Sequence, residues 1–186
     1  MKQAVVFLAD GFEEIEGLAV VDVLRRAGVE VITVSIKRNC MVTGRSNITV
    51  LADKWYGEMD FSSADLLVLP GGMPGTTNLR DYAPLRELLG KAYEEKKRMA
   101  AICAAPMVFG GMGFLKGRKA TIYPGMEEEL VGAQAMAEPV VVDEFITTSR
   151  GMGTAIPFAL SLVEQLMGKE KACEIAASIV FEAWNV

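Results

Sequence analysis

The chain has 186 residues, 51% of them hydrophobic, and a formal net charge of −5. This length suits one globular domain with a sizeable core, so we predict a single domain over residues 1–186. The acidic balance argues against nucleic acid and anionic membranes as partners, and no segment approaches the roughly 20 apolar residues that cross a bilayer.

Few residues bear on the compartment or on metal binding. The opening stretch, "MKQAVVFLADGFEE", runs into acidic residues where a leader would need small ones, so we expect a soluble cytoplasmic protein. Three widely spaced cysteines, Cys40, Cys103 and Cys173, match no disulfide framework. With no histidine and no Cys-x-x-Cys motif, a metal site is not expected.

Short β-rich runs alternate with helical patterns along the chain, as in a doubly wound α/β fold. In chain order we predict a strand at 2–10, a helix near 13–27, a strand at 30–36, a small β excursion at 43–56, a strand at 65–72, a helix at 81–97, a strand at 98–103, a helix at 104–112, strands at 119–123 and 144–151, a helix at 153–167 that stops at Gly168, and a last helix from about 169. Several strands are apolar on successive residues, which is typical of a mostly parallel sheet with helices on both faces.

The first predicted helix carries an acid on its packed face. Its apolar stripe has offsets 0, 3, 4 and 7: Val20, Val23, Leu24 and Ala27. Four residues back, the stripe reaches Glu16, near the carboxyl end of the first strand, where burial would raise the carboxyl pKa. Glu16 would then hydrogen-bond a thiol or shuttle a proton, unless it reaches solvent past the end of the stripe. Glu13 is explained by the helix dipole, and we expect Glu14 to be solvated.

Cys103 lies where the run "MAAIC" passes into the helix that begins "AAP". A thiol at a helix N-terminus is favoured as thiolate, so the position predicts an acidic nucleophile. The alternative is a small core residue at the end of a buried strand, which is also the reading we give Cys40 and Cys173. The glycine-rich turn "LPGGMPGTTNL" follows another strand, so the N–H groups of Gly72 and Ala104 could form an oxyanion hole beside Cys103, although a plain tight turn is also possible.

Loops after parallel strands meet at one edge of the sheet, where ligands bind. Tyr123 follows one predicted strand, and Ser149-Arg150-Gly151 follows another whose direction the sequence does not fix. Arg45, in the β excursion, could also lie close to this edge, although a lone surface arginine is usually just solvated.

Four segments follow one another in the order "FLADGFEEIE", "LVLPGG", "AAICAAP" and "TSRGMGTAIPFALSLVEQLMG". Together they resemble the ThiJ/PfpI superfamily, specifically its DJ-one branch, over essentially the whole chain. The resemblance implies a flavodoxin-like α/β sandwich that forms a homodimer, with the active cysteine on a strained elbow.

For the site, the resemblance implies Cys103 as nucleophile, Glu16 as buried acid, and Gly72 and Ala104 as oxyanion amides. It places Arg45 near the partner subunit's active site. Members of the family have been assigned cofactor-free glyoxalase activity, deglycation of early methylglyoxal adducts, oxidative-stress sensing and chaperone activity.

The sequence departs from this family at "ATIYPG", which puts Tyr123 where many members have a histidine. Tyrosine is a hydrogen-bond donor and a poor base near neutrality, so protease and amidotransferase activities, which depend on histidine, are disfavoured. The leading hypothesis is an enzyme that acts without a cofactor on small aldehydes or glycated adducts, with Tyr123 and Arg45 contacting the substrate. The alternative is a redox sensor or chaperone that works through oxidation of Cys103.

Overall fold

A computed structural model describes residues 1–184 of the chain. Its strands are β1 (Gln3–Leu8), β2 (Glu30–Ser35), β3 (Met41–Thr43), β4 (Thr49–Leu51), β5 (Lys54–Trp55), β6 (Leu66–Leu69), β7 (Arg98–Ile102), β8 (Lys119–Ala120), β9 (Gln134–Ala135), β10 (Val140–Asp143) and β11 (Ile146–Ser149). Its α-helices are α1 (Glu14–Arg26), α2 (Gly75–Asp81), α3 (Ala83–Glu94), α4 (Pro106–Gly111), α5 (Ala155–Met167) and α6 (Lys169–Ser178).

Seven strands form the central sheet, in the order β10-β11-β7-β6-β1-β2-β5. Neighbouring strands are parallel except β10 and β11, which form an antiparallel pair at one edge. From β1 the chain first builds outward through β2 and β5, then returns to β6 and builds the other way. The switch between β1 and β6 opens a crevice at the carboxyl ends of the strands, which is the usual place for a ligand in such a sheet.

Helices cover both faces of this sheet, which explains why its central strands are apolar on successive residues. All six residues of β1 are buried. One core lies between the sheet and helices α1, α5 and α6, with large side chains such as Leu24 and Phe158. The second core lies under α2, α3 and α4, with Leu85, Leu89 and Phe109. Each fully buried leucine or phenylalanine stabilises the fold by about 1.5–3 kcal/mol.

The predicted fold class is confirmed: a mostly parallel, flavodoxin-like sheet between two helical layers. The strand at 30–36, the β3–β4 hairpin within the β excursion and the end of α5 at Gly168 also lie where the sequence placed them. No helix within residues 1–184 is long and apolar enough to cross a membrane.

Two element predictions were wrong. The strand predicted at 119–123 is only the two-residue β8, which pairs with β9 outside the central sheet. The place beside β11 is taken by β10 instead, and the backbone N–H of Thr121 donates to the Thr148 hydroxyl. The helix predicted at 81–97 is divided, because α2 ends at Asp81 and α3 begins at Ala83, just before Pro84.

Candidate active site

Cys103 directly follows β7 and has a left-handed backbone, with φ of 64°. This conformation costs a non-glycine residue about 1–3 kcal/mol and persists only where neighbours hold it. Here the Cys103 N–H donates to the Ser149 carbonyl at 3.0 Å, and the Cys103 carbonyl accepts from the Tyr123 N–H at 2.9 Å. The strained elbow that the resemblance implied is therefore present, and it turns the thiol toward the crevice.

Glu16 lies in the first turn of α1 and is 1% exposed. Its Oε2 accepts a hydrogen bond from the Gly71 N–H at 2.9 Å. Gly71 is packed between the carboxyl and the thiol, since a Cβ on it would lie 2.6 Å from Oε2 of Glu16 and 2.5 Å from Cβ of Cys103. The helical stripe thus predicted the burial of Glu16 correctly, and the loop after β6 brings this acid against the cysteine.

The carboxyl and the thiol shift each other's pKa. Burial raises the pKa of Glu16 to about 7, although hydrogen bonds with Cys103 and the Gly71 N–H act to lower it. The thiol lies close enough for this effect, yet within residues 1–184 Oε1 of Glu16 has no hydrogen bond of good geometry. A buried carboxyl beside a thiol, with one oxygen free to take a proton, is suited to general acid–base chemistry at neutral pH.

The prediction of an acidic thiol was wrong. Burial raises the pKa of Cys103 to about 12, and the Glu16 charge and its hydrogen bond act in the same direction. The N–H groups of Ala104 and Gly72 oppose this shift but do not outweigh it. The sequence argument counted only the helix N-terminus, and α4 begins three residues later, at Pro106, and has six residues. A thiolate therefore forms most easily when Glu16 takes up the proton.

The two amides predicted as an oxyanion hole lie at the sulfur, since both lower the pKa of the Cys103 thiol. Gly72 has φ of 88°, in the left-handed region that favours glycine. A Cβ on Gly72 would also lie 2.7 Å from the carbonyl oxygen of Gly11, so the loops after β1 and β6 pack tightly here. The N–H groups of Gly72 and Ala104 are therefore placed where an oxyanion beside the sulfur would need donors.

A cleft of about 470 Å³ opens over the thiol. It is lined by Glu13, Glu16, Arg45, Cys103, Tyr123, Pro124, Arg150, Gly151, Met152, Gly153 and Thr154. Tyr123 is 51% exposed, and a Cβ on Gly151 would lie 3.5 Å from its ring and 3.9 Å from the Cys103 sulfur. The structure therefore brings every side chain predicted for the site to one cleft.

Arg45 reaches this cleft from the turn between β3 and β4. Its backbone N–H donates to the Phe12 carbonyl at 2.8 Å, and its Nη1 lies 3.5 Å from Oε2 of Glu13. Glu13 is thus an ion-pair partner as well as a first-turn acid, a role that helix periodicity alone did not indicate. The pair fixes a guanidinium at the mouth of the cleft.

The expectation that Glu14 is solvated was wrong, because this side chain is 4% exposed. The β3–β4 hairpin folds over the start of α1, and the Ser46 N–H donates to Oε1 of Glu14 at 2.9 Å. Gly44 makes room for the carboxyl, since a Cβ there would lie 2.6 Å from Cγ of Glu14. Burial acts to raise the pKa of Glu14, but N–H groups of its own residue, Ser46 and Ile48 lower it overall.

Arg150 and Gly151 reach the cleft because β11 runs parallel to β7. This direction decides that the loop after β11 lies at the same edge of the sheet as Cys103. Within residues 1–184, no three side chains of the metal-binding types lie together.

Fold and site together define a class: flavodoxin-like α/β proteins with a cysteine elbow beside a buried glutamate. A model of the DJ-1/PfpI family matches residues 2–165, and the chain belongs to this family. It is 40% identical to Protein DJ-1 homolog B of Arabidopsis thaliana over 96% of this chain but 41% of that protein. It is 36% identical to Protein dj-1beta of Drosophila melanogaster over 96% of this chain and 97% of the relative. The chain therefore spans less than half the length of the Arabidopsis relative.

Two further comparisons bear on structure and function. A solved structure of Toxoplasma gondii DJ-1, oxidized, superposes with a TM-score of 0.94 at 37% identity, over 98% of this chain and all of that one. A protein of Pyrococcus abyssi named as a deglycase is 32% identical over 88% of this chain and 99% of its own.

Proposed function

We propose that the protein is a cysteine-dependent enzyme that converts small 2-oxoaldehydes such as methylglyoxal to 2-hydroxy acids. The observation that carries this proposal is the buried Glu16, with its pKa raised to about 7, against the Cys103 thiol at the base of a cleft. The reaction oxidises the aldehyde carbon and reduces the neighbouring ketone of the same molecule. It therefore balances with water alone and needs no redox cofactor.

In the first step, the Cys103 sulfur adds to the aldehyde carbon while its proton passes to the Glu16 carboxylate. The raised thiol pKa makes this transfer necessary, and the pKa of Glu16 suits it as the base. The developing alkoxide is held by the N–H groups of Gly72 and Ala104 and then receives a proton, giving a hemithioacetal.

In the second step, Glu16 removes the proton from the former aldehyde carbon and an enediol forms. Return of a proton to the neighbouring carbon gives a thioester of lactate. Water then hydrolyses the thioester, which releases lactate and restores the thiol. One carboxyl performs these transfers in turn, so no histidine is required.

Tyr123 and Arg45 are assigned to substrate binding. The Tyr123 side chain faces the sulfur across Gly151, and its hydroxyl can donate a hydrogen bond to a substrate oxygen. A neutral tyrosine does not protonate the amine that a protease must expel, so the site suits carbonyl addition better than peptide hydrolysis. Early glycation adducts are a second substrate class, which the name of the Pyrococcus relative supports.

We also propose that the protein is a homodimer. Exposed apolar side chains lie along the outer side of α1 and on the adjoining β3–β4 hairpin: Ile15, Leu18, Met41, Ile48 and Leu51. Leu51 is 76% exposed and is paired across the hairpin with Met41. An apolar patch of this kind is typical of a protein interface, and it lies beside Arg45 at the mouth of the cleft. A second copy would therefore cover the patch and border the active site.

The test is production of lactate from methylglyoxal, followed by NMR, by wild type, Cys103→Ser and Cys173→Ser. Cys173 is exposed on α6 outside the cleft, so its replacement controls for the loss of a thiol. We expect wild type and Cys173→Ser to form lactate, and Cys103→Ser to lose at least about a hundredfold in rate. Lactate at the wild-type rate from Cys103→Ser would exclude this mechanism.

Oxidation of Cys103 is a second candidate function. Glu16 can donate a hydrogen bond to an oxidised sulfur when protonated, and the Toxoplasma relative was solved as an oxidised protein. Mass spectrometry after mild peroxide separates the two functions. Selective addition of two oxygens at Cys103, with no turnover of methylglyoxal, would favour the sensor.

A further inference from the structure

Arg150 is a cation of the cleft that the proposed reaction does not use. It directly follows β11, and Gly151 next to it faces the Cys103 sulfur. Its Nη1 donates to the Ala137 carbonyl at 2.8 Å, and its backbone N–H donates to the Pro139 carbonyl at 3.3 Å. The side chain is part-buried and lines the cleft. The guanidinium is therefore held in place beside the reacting sulfur, with most of its N–H groups free.

The other charges that line the cleft are already compensated. Arg45 pairs with Glu13, and Glu16 shares its proton with the thiol of Cys103. Within residues 1–184 no carboxylate lies within 4.0 Å of Arg150. The nearest electrostatic partner is Glu127, whose pKa is lowered by its own N–H and by the Gly125 N–H, with a smaller contribution from Arg150.

We propose that Arg150 binds a carboxylate of the substrate, so that the site prefers 2-oxoaldehydes and adducts that carry a negative charge. This inference rests on the proposed function for its reaction. An arginine binds carboxylates through paired, charge-assisted hydrogen bonds, and one with no carboxylate partner in its own chain is available to do so. Because the whole chain has a formal charge of −5, an anion needs such a local cation to enter the cleft.

A matched pair of substrates isolates the carboxylate. In 4,5-dioxopentanoate a carboxylate replaces the terminal methyl group of 2-oxopentanal, and the two molecules are otherwise alike. The first becomes 2-hydroxyglutarate by the same internal transfer: the aldehyde carbon is oxidised, the ketone is reduced, and one water is consumed. We expect wild type to have a kcat/KM about tenfold or more higher for 4,5-dioxopentanoate.

Variants of Arg150 test which residue causes the preference. In Arg150→Gln we expect kcat/KM for 4,5-dioxopentanoate to fall about tenfold, mainly through KM, while that for 2-oxopentanal stays within about twofold. Arg150→Lys keeps the charge and should retain part of the preference. Arg86→Gln, on exposed α3 at the opposite face of the sheet, makes the same change in net charge and should leave the preference intact.

A second measurement does not depend on turnover. Cys103 is alkylated with an equimolar mixture of iodoacetate and iodoacetamide, and the ratio of the two products is read from its peptide by mass spectrometry. We expect this ratio to fall about fivefold or more in Arg150→Gln, because the cation no longer attracts the charged reagent. The ratio at exposed Cys173 should not change, and thermal melting checks that each variant is folded.

The outcomes separate this inference from the proposed function. If wild type turns over neither dicarbonyl, the proposed function is wrong, and the alkylation ratio still decides whether Arg150 attracts anions to the sulfur. If both are turned over equally well and the ratio is unchanged in Arg150→Gln, the role assigned to Arg150 is wrong while the reaction stands.

Discussion

The Gly71 N–H donates a hydrogen bond of 2.9 Å to the carboxylate of Glu16, which is 1% exposed. Gly71 also fills the gap between Glu16 and Cys103, where a Cβ would lie within 2.6 Å of both side chains. We therefore expect Gly71→Ala to lower the free energy of unfolding by about 1–3 kcal/mol and to slow turnover. Gly90→Ala in α3 is the control, because nothing lies within 4 Å of a Cβ there. Urea unfolding of both variants checks this, and equal stability of the two would contradict the packing described.

Removing the charge of Glu16 should make the thiol more acidic. Burial, the Glu16 charge and its hydrogen bond all raise the pKa of Cys103 to about 12, and Glu16→Gln removes the charge. We expect the thiol pKa to fall by about a unit or more, read from the pH dependence of Cys103 alkylation. Turnover should nevertheless fall, because the base is lost. A thiol pKa that rises in Glu16→Gln would show that the carboxyl stabilises the thiolate instead.

Glu16 should also make stability depend on pH. Its pKa in the folded protein is raised to about 7 from an ordinary value of 4.5, so the folded state holds the proton more tightly than the unfolded state. This contribution to stability is complete below about pH 4.5 and is lost as the pH rises through about 7. Relative to Glu16→Gln, which cannot titrate, wild type should lose up to about 3 kcal/mol over this range. Denaturant unfolding at several pH values measures the difference, and parallel curves would refute it.

Glu14 should stabilise the hairpin that carries Arg45. Replacing it by alanine leaves the Ser46 N–H without its acceptor at 2.9 Å, so we expect a loss of about 1–3 kcal/mol in the free energy of unfolding. Glu128→Ala, at an exposed site in a short 3₁₀ turn, should change stability by less than about 0.5 kcal/mol. Hydrogen exchange should show faster opening at residues 44–48 in Glu14→Ala alone; unchanged exchange there would contradict this role.

A charge in the exposed apolar patch should separate the proposed dimer. Leu51 is 76% exposed, so Leu51→Asp costs the folded monomer little but would place a charge in the buried interface. Light scattering coupled to size exclusion should give a dimer for wild type and a monomer for this variant. Val131→Asp, at a 58% exposed position outside the patch, is the control. A monomeric wild type would overturn the proposed assembly.

Strong local patterns in the sequence predicted much of the fold. The apolar runs of β1 and β7 and the helical stripe that ends at Glu16 have few alternatives once both faces of the sheet are covered. Short elements were harder, because β5, β8 and β9 have two residues each and carry no detectable periodicity. Their positions depend on which longer strands they meet.

The site was predicted in its members but not in its electrostatics. Cys103 and Glu16 could be found from strand and helix patterns, whereas the shifts of their pKa values depend on burial and on contact between distant segments. The burial of Glu14 depends likewise on the hairpin that folds over it. Arg150 could be placed at the cleft only once the direction of β11 was known.

The measurement that tests the account most directly is turnover of methylglyoxal in D₂O, with the lactate analysed by NMR. If Glu16 removes and returns the proton, it exchanges with solvent, so wild type should give lactate with deuterium at C2. Cys103→Ser and Glu16→Gln should form lactate at least about a hundredfold more slowly. Absence of lactate from wild type, or lactate that keeps only hydrogen at C2, would contradict the mechanism.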